Sequence, residues 1–163
     1  MPRDDGFLNV DLEVGARSRA ELVPLVDALH GKLFELFRGR IRGLYRVHYE
    51  TNGCGRNASD TIHELAAAIE ALNASEQRAW DAATMRDFNI GIELARGVRS
   101  VELAIDPDAI RRVAALGGRI AFTAYQAAAM PRGRLAGTGT QKPRSTHAPK
   151  RGRTPAPRRQ SAS

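Results

Sequence analysis

The chain has 163 residues, 42% of them hydrophobic, and carries 25 Lys and Arg against 18 Asp and Glu for a formal net charge of +7. That length suits one domain with a real core, leaves a second one cramped, and contains no apolar run long enough to suggest a bilayer crossing. The charge does not make the whole chain a polyanion binder: nine basic and no acidic residues fall between Pro131 and Ser163, which leaves 16 basic against 18 acidic in residues 1–130.

Residues 1–6 have no apolar segment behind a positive end and are expected to be a flexible N-terminus. A soluble, cytoplasmic protein follows, and the single Cys54 fits a reducing compartment. Phe7 to Val14 alternates, with Leu8, Val10, Leu12 and Val14 on one face and Asn9, Asp11 and Glu13 on the other, the period of a half-buried strand. Ser18 and Glu21 stand at capping-box spacing before a helix whose stripe is Leu22, Leu25, Val26 and Leu29. Pro24 suggests that its regular part starts later than Ser18.

Lys32 to Phe37 and Ile41 to Thr51 read as two strands around a turn at Arg38-Gly39-Arg40. A loop from Asn52 to Asn57 leads to a helix from about Ser59, with Ile62, Leu65, Ala66, Ile69 and Leu72 inward; after a break near Asn73-Ala74-Ser75 a shorter helix carries Trp80. From Asp87 the chain alternates again, with Phe88, Ile90, Ile92 and Leu94 opposite Asp87, Asn89, Gly91 and Glu93. Val101 to Ile105 is a further candidate strand. Asp106-Pro107 opens a helix, its aspartate placed to accept first-turn amides, Gly117-Gly118 closes it, and Arg119 to Tyr125 is the last strand.

This order predicts an α+β fold over residues 7–126: a largely antiparallel sheet with helices on one face and a first part of ferredoxin-like order. Residues 127–163 hold five of the eight prolines from Pro131 on and no aromatic residue, so a disordered basic C-terminal tail is expected.

No set of residues converges on a chemistry by spacing alone. Cys54 in its glycine-rich loop could be a nucleophile with His48 or His63 as base, but nothing requires them to meet. His63-Glu64 begins like a zinc-protease helix, yet Ala67 stands where the second histidine belongs. His30 and His147 lie at a helix end and in the tail. Asp11, Glu13, Asp87 and Glu93 could share one sheet face, where paired carboxylates do acid–base work or simply solvate the strand.

Arg42 to Tyr49 resembles the octapeptide of the RNA-recognition motif in its opening Arg-Gly and its aromatic end. The family stacks bases on aromatics at the third and fifth places, and here those are Leu44 and Arg46. The segment from Asp87 to Tyr125, through Phe88-Asn89-Ile90-Gly91, Leu116-Gly117 and the strand ending in Tyr125, resembles small bacterial α+β domains of unknown function. That resemblance implies a compact bacterial cytoplasmic domain and assigns no catalytic residue.

The expectation is therefore a non-enzymatic binding or accessory domain that acts on an unknown protein partner, with no cofactor, no metal and no membrane. The alternative is non-specific nucleic-acid association through the tail, with Arg144, Lys150, Arg151, Arg153, Arg158 and Arg159 as phosphate contacts.

Overall fold

The computed structural model describes residues 6–53, 57–95 and 100–126. The expected tail, the first five residues and Cys54 lie outside the described residues. Among the described residues the elements are β1 (Phe7–Ala16), α1 (Arg19–Leu29), β2 (Phe34–Ile41), β3 (Leu44–Glu50), α2 (Ala58–Glu70), α3 (Ala74–Ala82), β4 (Met85–Leu94), α4 (Pro107–Ala115) and β5 (Arg119–Gln126). The sheet order is β2-β3-β1-β4-β5, antiparallel throughout except for the parallel β4–β5 pair. Its first four strands follow the ferredoxin-like order, and α4–β5 adds one parallel crossover at the β4 edge. This is the α+β class that the alternation of strand and helix signals predicts.

All helices lie over one face. Val10, Leu12, Val14 and Ala16 of β1, Val47 and Tyr49 of β3, and Phe88 and Ile90 of β4 are almost wholly buried, and all belong to the side-chain set that meets Leu22, Leu25, Leu29, Ile62, Leu65, Ile69, Trp80, Ala109 and Val113. Residues of the opposite parity point to a face that no described helix covers.

Several local expectations are corrected. The hairpin turns at Arg42-Gly43, where both residues have positive φ (49° and 85°), as a two-residue turn matched to strand twist requires. Gly39 sits inside β2 for a different reason: a Cβ there would stand 2.9 Å from Cζ of Phe37, whose ring lies across it. Val101–Ile105 forms no strand; Leu103 and Ile105 pack against the core without ladder bonds. α1 runs through Pro24, and Ser18 does not cap it, because its hydroxyl donates to Glu21 Oε1 at 2.8 Å instead. Asp106 likewise makes no side-chain cap; its own N–H donates to Ser59 Oγ at 2.9 Å, tying α4 to α2.

The break expected near Asn73 is present, and Asn73 opens α3 with a full capping box. Asn73 Oδ1 accepts from the Ser75 and Glu76 amides, and Glu76 Oε2 accepts from Asn73 N–H. Asn57 caps α2 in the same way through Asp60 N–H. Trp80 locks α3 to the end of α4, its Nε1–H donating to the Leu116 carbonyl at 2.9 Å.

Candidate functional site: the uncovered sheet face

Strand pairing decides what meets on the open face. Glu13 of β1 stands opposite His48 of β3 and Asp87 of β4, Asp11 stands opposite Asn89, and Asp87 stands beside Arg119 of β5. A line of polar side chains therefore crosses four strands. Thr123 Oγ1 donates to Asn89 Oδ1 (2.9 Å), Asn89 Nδ2 donates to Glu13 Oε1 (2.7 Å), and Glu13 Oε2 lies 3.8 Å from both Arg46 Nη1 and His48 Nε2. Arg119 holds Asp87 by two bonds, Nε–H to Oδ1 at 3.1 Å and Nη2–H to Oδ2 at 2.5 Å. His48 rests against the Phe37 ring with centroids 5.2 Å apart.

This face is uncovered by any described element, yet the side chains at its centre are largely buried. The Glu13 side chain is only 14% exposed and Arg46 and His48 are 18% exposed. Arg46 Nε and His48 Nε2 are buried without a hydrogen-bond partner, a costly state for polar groups at a surface. Burial lowers the pKa of His48, partly offset by the Glu13 carboxylate and reinforced by Arg46, so the ring is neutral at pH 7. Asp11 moves the other way. Burial, then the neighbouring Glu50 and Glu13 carboxylates, push it up to about 6.

Asp11 receives one hydrogen bond, from Asn9 Nδ2 at 2.7 Å. Gly91 permits it: a Cβ there would stand 2.5 Å from Asn9 Oδ1. Glu13 has Arg46 and Asp87 has Arg119, but no cation lies within ion-pairing distance of Asp11 or Glu50 among the described residues. The face thus presents a fixed polar ladder with an uncompensated carboxylate pair at one end.

Of the four carboxylates expected to share a face, the structure brings Asp11, Glu13 and Asp87 together and leaves Glu93 exposed at the far end beside Tyr125. Asn89 shares its strand face with Asp87 as the alternation predicts, but Arg46, His48, Thr123 and Arg119 were missed as members of the same set, because only the strand order places them there. His63 is half-buried on α2, its Nδ1 3.1 Å from Arg112 Nη1, and Arg112 also grips Glu70 through two bonds of 2.9 and 2.5 Å. His30 is exposed at the end of α1. Arg144, Lys150, Arg151, Arg153, Arg158 and Arg159 lie outside the described residues, as does His147.

A cavity of about 80 Å³ on the other side, lined by Arg19, Val23, Val26, Asp27, Arg38 and Tyr45, is far smaller than a typical small-molecule site. Among the described residues no group of three His, Cys, Asp or Glu could hold a metal ion, and no helix is long and apolar enough to cross a membrane. The fold and this face define an α+β domain with a preorganised polar sheet surface. Comparison with protein-family models, curated proteins and solved structures finds no match for the chain.

Proposed function

We propose that this is a non-enzymatic, cytoplasmic binding domain that engages a protein partner across the uncovered sheet face. The observation that carries the reading is the pair of buried, partnerless nitrogens on that face, Arg46 Nε and His48 Nε2, flanking Glu13, with an uncompensated Asp11–Glu50 pair next along the same strands. A partner that brings hydrogen-bonding groups to the first and a Lys or Arg to the second relieves both penalties at once. The same carboxylates disfavour a phosphate backbone there. The test is a photo-crosslinking residue placed at Glu50 in the full chain within cells. A discrete adduct formed from position 50, lost on Asp11→Arg and absent from a crosslinker at Arg111 on α4, supports the reading; equal labelling from both positions refutes it.

A second reading rests on the nine basic and no acidic residues from Pro131 to Ser163, which suit non-specific nucleic-acid binding through Arg144, Lys150, Arg151, Arg153, Arg158 and Arg159. With those six as phosphate contacts, log K against log salt has a slope of about −5 on duplex DNA. A flat salt series for the full chain refutes it.

A further inference from the structure

The sheet has two edge strands, and they differ in how they are protected. β2 carries a bulge between Glu35 and Phe37 and three charged side chains, Glu35, Arg38 and Arg40, with Glu35 and Arg38 paired to each other. Bulges and charges are the usual guards against pairing with another chain. β5 is less guarded: it runs eight pairs with β4 without a register shift, and after Arg119 at its start the stretch Ile120 to Tyr125 is uncharged. Its outer edge has no partner strand among the described residues, and Phe122 and Tyr125 on it are 58% and 49% exposed. A strand of that composition is a template for another strand.

We infer that β5 pairs antiparallel with β5 of a second copy, on a two-fold axis through Phe122, to make a continuous ten-stranded sheet in a dimer. The strand is its own complement in that register. Residues of equal parity share a face, so a two-fold at Phe122 sets Phe122 against its counterpart and Ile120 against Ala124 on the helix-covered side. On the open side it sets Ala121 against Thr123 and Arg119 against Tyr125. The aromatic pair at the centre and two guanidinium–ring contacts at the ends are each favourable, and no like charges meet. Arg119 suits the last role because its side chain is 71% exposed while Asp87 holds its guanidinium on the open face. A second copy is favoured over a charged partner because the middle of β5 offers no charge for such a partner to read. One strand pair and its side chains make a small interface, so the association is expected to be weak and concentration-dependent.

The experiment is sedimentation velocity on the full chain over a micromolar concentration series, with Phe122→Lys, Phe122→Glu and their equimolar mixture. Phe122 is mostly exposed, so both variants keep the fold, which far-UV circular dichroism verifies. The expected result is a reversible monomer–dimer equilibrium that stops at the dimer. Each single variant weakens it at least about tenfold, and the mixture restores it as opposite charges meet on the axis. Arg78→Ala, at an exposed position on α3, leaves it unchanged. A chain that stays monomeric throughout, a dimer indifferent to Phe122→Lys, a mixture that fails to recover, or growth beyond the dimer through β2 each overturns the inference.

Discussion

Asp11→Asn should stabilise this protein at neutral pH and leave it unchanged in acid. The folded domain holds the Asp11 proton up to about pH 6, whereas the unfolded chain releases it near the ordinary 3.8. Between those values the native state binds the extra proton, so stability falls as pH rises, and the loss is complete once pH passes the folded value. The gap corresponds to about 3 kcal/mol if taken whole. Asp11 is only half-buried, and solvent screening reduces this to about 1–1.5 kcal/mol. Asparagine keeps the oxygen that accepts from Asn9 Nδ2 and removes the charge that Glu50 and Glu13 repel.

The assay is urea unfolding of both proteins at pH 4 and pH 7.5. Other groups titrate in both chains and cancel in the difference, provided the slopes against urea match. The variant should be more stable by about 1 kcal/mol at pH 7.5 and equal at pH 4. A difference that is absent at pH 7.5, or the same at both values, refutes the electrostatic account of this face. If Asp11 receives a cation from a partner, the same substitution strengthens the fold and weakens binding. That opposition separates a residue kept for recognition from one kept for stability.

Gly91→Ala should scarcely change stability while raising the Asp11 pKa further in an NMR titration: replacing a strand glycine gains roughly 0.5–1 kcal/mol, and displacing Asn9 from Asp11 loses about as much. Trp80→Phe should destabilise by about 2–3 kcal/mol in the same urea assay, since it strands the Leu116 carbonyl and leaves part of the indole volume empty. Arg42→Asn should stabilise by about 0.5 kcal/mol, because asparagine accepts the positive φ of the turn more readily than arginine; no gain in the urea midpoint would mean that the turn is not under strain.

Elements with one dominant local signal were legible in the sequence. β1, the end of α4 at Gly117 and β5 stand almost where alternation and glycine punctuation predict. The hairpin was misread because one glycine looks like another in a sequence. Gly39 makes room for the Phe37 ring and Gly43 supplies positive φ, and only coordinates distinguish a steric requirement from a conformational one. The break between α2 and α3 stands where it was expected, and the capping box that opens α3 was legible too, but the Glu three residues after Asn73 was not weighed. Val101–Ile105 has strand composition and packs its apolar side chains, yet β5 pairs at the β4 edge instead. The open-face set was half legible. Period-two alternation gave Asp11, Glu13 and Asp87 a common face, but Arg46 and His48 join them only because β3 pairs with β1, a long-range fact that local periodicity does not carry.

Placing every helix on one side has a consequence for both proposals. The covered face takes most of the large apolar side chains of the central strands, so the polar residues of the same strands face outward together, with Leu44 and Met85 beside Gly15 as the apolar exceptions. On an ordinary solvated face they would be wet and independent. Here Asn89 bridges β5 to Glu13, and Glu13 sits against Arg46 and His48, so the ladder is fixed before any partner arrives and loses little entropy on binding. β5 ends that ladder through Arg119 and Thr123, the same strand whose outer edge is unguarded. Pairing there would continue the polar face across the two-fold axis, with Arg119 of each copy between its own Asp87 and the opposing Tyr125. A partner able to span both halves would then bind with the avidity of two linked sites, which can exceed a single site by about 10²–10⁴ without any new contact.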